Sequence, residues 1–308
     1  MSTGEPQAAA PLKTGGGVLP ILAAAAVGIQ VGAATVASRY ALPETDPISL
    51  GFMRYAIGAL SLAPFVFAAP LPRFRPRDLA PMAILGIIQF AILIALLNIG
   101  LLYIPAGRAA LVFSAFPLLT MLIAALLGRE QMTARKTTGV VLTMLGVGIA
   151  LGDKVLGGSN EGFWGEAAVL GSALCGAICS VLYRPYLQRY PALSVSGYAV
   201  VTSVLFLGIV GALRGGLTNP LTLTGSAQAA VVFIGLSSGL AFFILLWAFA
   251  RTTPTRVTVF QALAPLTATA LGIGLLGETV TLNFLAGLGC VALGLVVALG
   301  AGSEPSAA

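Results

Sequence analysis

The chain contains no histidine, and charge is scarce, with only 8% of residues being Asp, Glu, Lys or Arg. Without histidine the usual general base is missing. The run Gly235-Leu236-Ser237-Ser238-Gly239 resembles the serine setting of intramembrane proteases, but nothing is present to activate a nucleophile there. The acidic residues Glu5, Glu44, Asp46, Asp78, Glu130, Asp153, Glu161, Glu166, Glu278 and Glu304 all fall in tails, loops or helix ends. That placement argues against paired catalytic carboxylates, a metal cage or a proton relay across a membrane. Cys175 and Cys179 share a helix face and Cys290 is remote, all in apolar runs, so they read as small buried hydrophobes. No catalytic residue, metal site or cofactor is expected.

What the chain has instead is apolar length: 58% of its residues are hydrophobic. They fall into ten segments, near 18–38, 49–69, 79–103, 105–127, 135–152, 163–186, 193–213, 226–250, 255–276 and 281–300. About 20 residues at ~1.5 Å rise cross a hydrocarbon layer roughly 30 Å thick. Inside lipid the backbone must satisfy itself, which selects helices. Tyr103-Ile104-Pro105-Ala106-Gly107 divides the third segment from the fourth, with Pro105 suited to a first helical turn. The first segment is too long for a signal-peptide core and is expected to be a retained helix. The fold class is therefore all-α, a polytopic membrane protein with ten transmembrane helices.

Orientation follows from the basic residues. With the N-terminus in the cytoplasm, the inner side collects Lys13, Arg73, Arg75, Arg77, Arg129, Arg135, Lys136, Arg184, Arg189, Arg251 and Arg256. Arg39, Arg54, Arg108, Lys154 and Arg214 fall toward the outside, and the eleven-to-five bias places both termini in the cytoplasm. The cluster Pro72-Arg73-Phe74-Arg75-Pro76-Arg77 reads as a loop beside anionic lipid, so the net charge of +6 does not point to nucleic acid.

The two halves are copies. Shifted by 148 positions, Arg108 falls on Arg256, Pro117-Leu118 on Pro265-Leu266, Glu130 on Glu278, Thr133 on Thr281, Gly139 on Gly287 and Gly146 on Gly294. Each copy holds five helices, an odd number, so the second enters the membrane from the opposite face. Two inverted-topology repeats are thus expected, residues 18–152 and 163–300, flanked by polar cytoplasmic tails at 1–17 and 301–308. This is the architecture of alternating-access carriers, whose substrate site lies near midplane between the halves.

At Leu101-Leu102-Tyr103-Ile104-Pro105-Ala106-Gly107-Arg108-Ala109-Ala110, Pro117-Leu118-Leu119-Thr120, Leu127-Gly128-Arg129-Glu130 and Gly139, the chain resembles the EamA-type repeat of the drug/metabolite transporter superfamily. The second copy repeats the pattern at Leu246-Trp247-Ala248-Phe249-Ala250, Ala264-Pro265-Leu266 and Leu276-Gly277-Glu278-Thr279-Val280-Thr281. Pro47 and Arg54 extend the likeness into the second helix. Within that superfamily the chain is most similar to bacterial amino-acid and metabolite exporters, among them the aromatic amino-acid exporter group called YddG. It departs from many relatives at Val27-Gly28-Ile29-Gln30-Val31-Gly32, where they carry a Trp-Gly pair.

Uncharged polar groups inside apolar spans are costly unless they meet a partner or a wet cavity. Gln30, Gln89, Asn98, Tyr183, Ser238, Trp247 and Gln261 are accordingly the candidate substrate contacts, with interhelical hydrogen bonding as the alternative role. Gln89 and Asn98 are nine positions apart, as are Ser238 and Trp247, so at most one of each pair faces a common site. Pro117 and Pro265, matched mid-span prolines, are candidate hinges. Glu130 and Glu278 read as carboxylates stabilised at the starts of the helices that follow them, and Arg108 and Arg256 as interfacial anchors. The site so drawn has no buried fixed charge and suits neutral or zwitterionic amphiphiles. The expected function is export of amino acids, aromatic or other apolar ones, or related small metabolites across the inner membrane. The alternatives are a carrier of nucleotide-sugars, lipids or drugs on the same fold, and a non-transporting scaffold. Expected partners are the small-molecule substrate and the bilayer, with no oligomeric state implied.

Overall fold

The computed structural model describes residues 18–68, 72, 74–128, 133–155, 160–249 and 263–299, and every regular element among them is helical. In chain order the main helices are α1 (Val18–Ala41), α2 (Pro47–Ala68), α3 (Pro76–Tyr103), α4 (Ala106–Leu126), α5 (Ala134–Val155), α6 (Asn160–Leu182), α7 (Ala192–Leu213), α8 (Gly225–Phe249), α9 (Leu263–Leu276) and α10 (Leu282–Leu299). Six of them, α1 to α4, α6 and α7, are long and apolar enough to cross a membrane. In the other four the apolar helical stretches are shorter: Thr137–Ile149, Gly225–Ala241, Leu263–Leu276 and Leu282–Gly294. Large apolar side chains such as Leu60, Phe67, Leu205, Ile209 and Leu293 point outward. In water such a belt would drive aggregation, whereas in lipid it is the matching surface.

Helix partners exchange when the halves exchange. The α1 helix packs on α8 and α9, as α6 packs on α3 and α4; α2 packs on α8 as α7 packs on α3; and α5 packs on α10. The last pair shows the reciprocity residue by residue. A Cβ added at Gly146 would lie 2.8 Å from Gly287 O and 2.8 Å from Val291 N, and one at Gly294 would lie 2.7 Å from Gly139 O and 2.7 Å from Thr143 N. Gly139 and Gly146 of one helix thus meet Gly287 and Gly294 of the other, the positions related by the 148-residue shift. Such approach matters because apolar side chains gain little by leaving lipid for one another, so close backbone packing supplies much of the attraction.

Three irregularities shape the interior. Residues Ile87–Ile92 of α3 form a π-helical stretch, with the Leu93 N–H bonded five residues back to Ile88 O. Helix α4 is broken at Ser114–Ala115 into Ala106–Phe113 and Phe116–Leu126, and Pro117 sits in the first turn of the second piece. The proline ring has no N–H and clashes with the carbonyl four residues back, which is why the helix restarts just before it. Between α3 and α4, Ile104 and Pro105 are extended and Pro105 is the N-cap of α4, one position ahead of the first-turn place expected for it. The start of α2 is fastened by Asp46, which accepts from Ile48 N at 2.9 Å and Ser49 N at 3.1 Å, from the Ser49 hydroxyl, and from Thr218 Oγ1 at 3.3 Å.

Two outcomes follow for stability. Gly146→Ala is expected to cost about 1–3 kcal/mol by overpacking against backbone that has no room to shift. Gly148→Ala, whose Cβ would meet nothing within 4 Å, should not lower thermal melting of the detergent-purified protein, alanine being the better helix former. Asp46 responds to pH. Burial pushes its carboxyl up, but the Ser49, Ile48 and Thr218 donors outweigh that and hold it below its ordinary value of 3.8. A lowered folded value means the stabilisation is complete above 3.8 and disappears as pH falls through the folded value. Acid melting curves of Asp46→Asn should lack that decline.

Candidate functional site

The central cavity has a volume of about 200 Å³ and is lined by both halves of the chain. Its walls are α1, α2, the π-stretch and following turns of α3, both pieces of α4, and one residue or two from each of α8 and α9. Aromatic rings form much of the surface. Tyr55 meets Phe90 edge-on with centroids 5.3 Å apart, and Phe113 stacks on Phe116 at 5.8 Å across the break in α4. The π-stretch turns Gln89 into this space, and the broken α4 brings Ser114 and Pro117 to its edge.

The structure separates the seven candidate contacts. Gln30, Gln89 and Ser238 line the cavity together. Gln30 Nε2 also donates to Ser237 Oγ on α8 at 2.9 Å, and Ser238 Oγ donates to Ile234 O at 2.6 Å. Asn98 lies outside the cavity lining: it is buried, and its Nδ2 donates to Pro47 O at 3.1 Å, fastening α3 to the start of α2. Tyr183 is also not in the lining and packs instead with the Met82, Tyr190 and Val195 cluster at the far end of α6. The α8 backbone is described through Phe249, but the Trp247 side chain is not among the described residues. Gln261, Arg256 and Glu130 also lie outside them, and the description of α9 begins two residues before Pro265, which is buried.

Arg54 corrects the expectation of a site without fixed charge. It lines the cavity, seven residues into α2 and therefore about 10 Å from the helix start. Its guanidinium carbon lies 5.7 Å from the Tyr55 ring centroid. A basic residue interrupting an apolar span was the available signal, because charge at that depth is kept only for a purpose.

At one end of the bundle, the C-terminal ends of α1 and α3, the starts of α4 and α6 and the α9–α10 connector converge on two ion pairs. Arg39 Nε lies 3.0 Å from Glu278 Oε1, and its Nη1 donates to Ile104 O at 2.9 Å and to Leu101 O. The same Glu278 oxygen accepts from Ala106 N at 2.9 Å. Gly277, at φ 63°, reverses the chain after α9 as only glycine does readily, which sends Glu278 inward. The expectation for Glu278 was right in its physics and wrong in its helix: the carboxylate sits at the N-terminus of α4 and not of α10. Arg108 is likewise no interfacial anchor. It pairs with Glu166 at 2.5 Å, with side chains only 11% and 12% exposed. A second, smaller space of about 140 Å³ lies among Arg108, Thr269, Glu278 and Thr281.

The model of the EamA-like transporter family matches residues 18–152 and again 163–300. An uncharacterized transporter of Archaeoglobus fulgidus is 28% identical over 86% of this chain and 93% of its own length. A probable terminal-alkyne amino-acid exporter of Streptantibioticus cattleyicolor is 29% identical over 79% of this chain and 80% of its own. A protein crystal structure superposes with a TM-score of 0.67 at 20% identity, covering 92% of this chain and 99% of that one, a likeness of fold.

The Arg39–Glu278 pair makes a testable claim about this end of the bundle. Glu278→Ala leaves Ala106 N without its acceptor and Arg39 with only the Leu101 and Ile104 carbonyls, and losing this partly exposed pair is expected to cost about 1–3 kcal/mol. Melting of the purified variant in detergent reads this, with exposed Arg214→Ala as the unaffected comparison.

Proposed function

Because this chain belongs to the EamA-like transporter family and is a multi-pass membrane transporter, we propose that it exports amino acids or closely related small metabolites across the inner membrane by alternating access. The observation that carries the reading is the cavity itself. It is a small space at the contact of the two halves, with aromatic and aliphatic walls and a few polar groups contributed by Gln30, Gln89, Ser238 and Arg54. Such a lining holds a compact amphiphile by its apolar body and orients it by its polar end. The exporter relative of Streptantibioticus cattleyicolor supports the amino-acid class. A single cation among the described lining residues suits neither a nucleotide-sugar nor another strongly anionic cargo, which would call for several.

In this reading residues 18–152 and 163–300 are the inverted repeats, ten spans leave both termini in the cytoplasm, and the eleven-to-five basic bias sets that orientation. The break before Pro117 is the hinge on which the second piece of α4 swings, and Pro265 is its counterpart. Trp247 and Gln261 join Gln30, Gln89 and Ser238 in the contact set. Among the described residues lining the cavity none is a carboxylate, so export runs down the substrate gradient without a dedicated proton carrier.

Counterflow in proteoliposomes with each of the twenty amino acids tests the function. Flux of one or more apolar amino acids, persisting when the proton gradient is collapsed, is expected. Flux confined to nucleotide-sugars, lipids or drugs, or none, would overturn it. Gln89→Ala should raise the half-saturating concentration by about tenfold, the cost of one hydrogen bond to a charged group, while Asn98→Ala and Tyr183→Ala act on stability instead. Pro117→Ala should slow turnover and spare affinity.

A further inference from the structure

Among the described residues lining the cavity, Arg54 is the one charged group and no acid accompanies it. Arg54 Nε is buried without a hydrogen-bond partner, and no hydrogen bond or ion pair reaches the Arg54 side chain from any described residue. Three other guanidiniums have carboxylate partners: Arg39 with Glu278, Arg108 with Glu166 and Arg189 with Asp78. The Gln89 amide also lacks a partner among the described residues, although it lines the same space. Of the remaining polar groups of the lining, the Tyr55 hydroxyl also has no hydrogen bond to a described residue, and the others are engaged. Thr35, Ser114 and Ser238 each donate to a carbonyl of their own helix, and Gln30 donates to Ser237. The unused capacity of the described lining is therefore a guanidinium, an amide and a phenol hydroxyl.

A guanidinium kept at membrane depth without a counter-ion is costly, and its planar fork matches a carboxylate in a bidentate pair. With no acid in the described lining, nothing offsets an ammonium. We propose that Arg54, assisted by Gln89, binds the carboxylate of the transported molecule. The site thereby selects organic monocarboxylates with an apolar body, for which an amino group is dispensable. This rests on the transport reading above and narrows it. An amine without a carboxylate meets like charge and is refused. A dicarboxylate leaves its second anion unpaired beside the rings of Tyr55, Phe90, Phe113 and Phe116 and binds poorly.

The test uses the full chain in proteoliposomes and three probes sharing one body: L-phenylalanine, 3-phenylpropionate and 2-phenylethylamine. Each competes against the amino acid giving the largest counterflow. Both carboxylates are expected to compete and the amine not. Arg54→Gln should weaken the two carboxylates by about tenfold to a hundredfold while leaving the amine no weaker, so that their ratio collapses. Arg54→Lys, retaining charge but not the fork, should fall between. Competition by the amine equal to that of phenylalanine, or an unchanged ratio in Arg54→Gln, overturns the proposal and leaves the transport reading standing. No counterflow of any amino acid in the wild type overturns both. Should Arg54→Gln fail to fold, the wild-type series and the same ratio in Gln89→Ala decide the matter.

Discussion

Close approach of helix backbones without a hydrophobic force between them is the constraint on which this structure depends. In lipid, the attraction between α5 and α10, or between α1 and α9, comes from contacts made when nothing larger than hydrogen stands between two main chains. Gly146 against Gly287 and Gly294 against Gly139 meet that condition, and Gly32 meets it against the backbone of Ala264. The glycines fix where each helix crosses its neighbour. Those crossings decide how much space remains in the middle.

Charge is the second organiser. Water lies at the ends of a bundle like this, and ionised groups away from it need partners. At one end the partners are local: Arg39 with Glu278, and Arg108 with Glu166. At the other, Asp78 accepts from Tyr190 Oη at 2.7 Å, and Tyr190 accepts in turn from Arg75 N at 3.1 Å, so the connector before α3 is held to the one before α7. Phe74 packs edge-on against Tyr190 at 5.0 Å in the same knot. The basic loop that reads as lipid-facing in the sequence is thus also fastened to protein.

Periodicity and length made the helices legible, because a segment that must satisfy its own backbone in lipid has little other choice. The break at Ile104–Pro105 was legible for the same kind of local reason, as proline restricts both itself and the residue before it. What one residue touches on another helix was not. Gln30 and Gln89 were found by their cost at depth, and so was Asn98, yet depth alone does not tell a cavity wall from a helix seam. Arg54 was assigned by its sign and its nearness to a span end. Its role depends on the rotation of α2, which the sequence pattern leaves open because the helix is apolar nearly all round. The π-stretch was equally hidden, since one wider turn in an apolar run leaves no compositional mark.

The ion pairs Arg39–Glu278 and Arg108–Glu166 break the symmetry that the fold otherwise keeps. Moved by 148 positions, Arg39 falls on Leu187, Glu166 on Val18 and Ala106 on Pro254, which has no N–H to offer a carboxylate. Two identical halves would hold a carrier's two open forms at equal free energy. Under the alternating-access reading proposed above, these substitutions would tilt that balance, every ~1.4 kcal/mol of imbalance changing the ratio of the two populations tenfold. On that reading the resting orientation would be a property of a few unmatched side chains, adjustable without touching either the helices or the chamber they enclose.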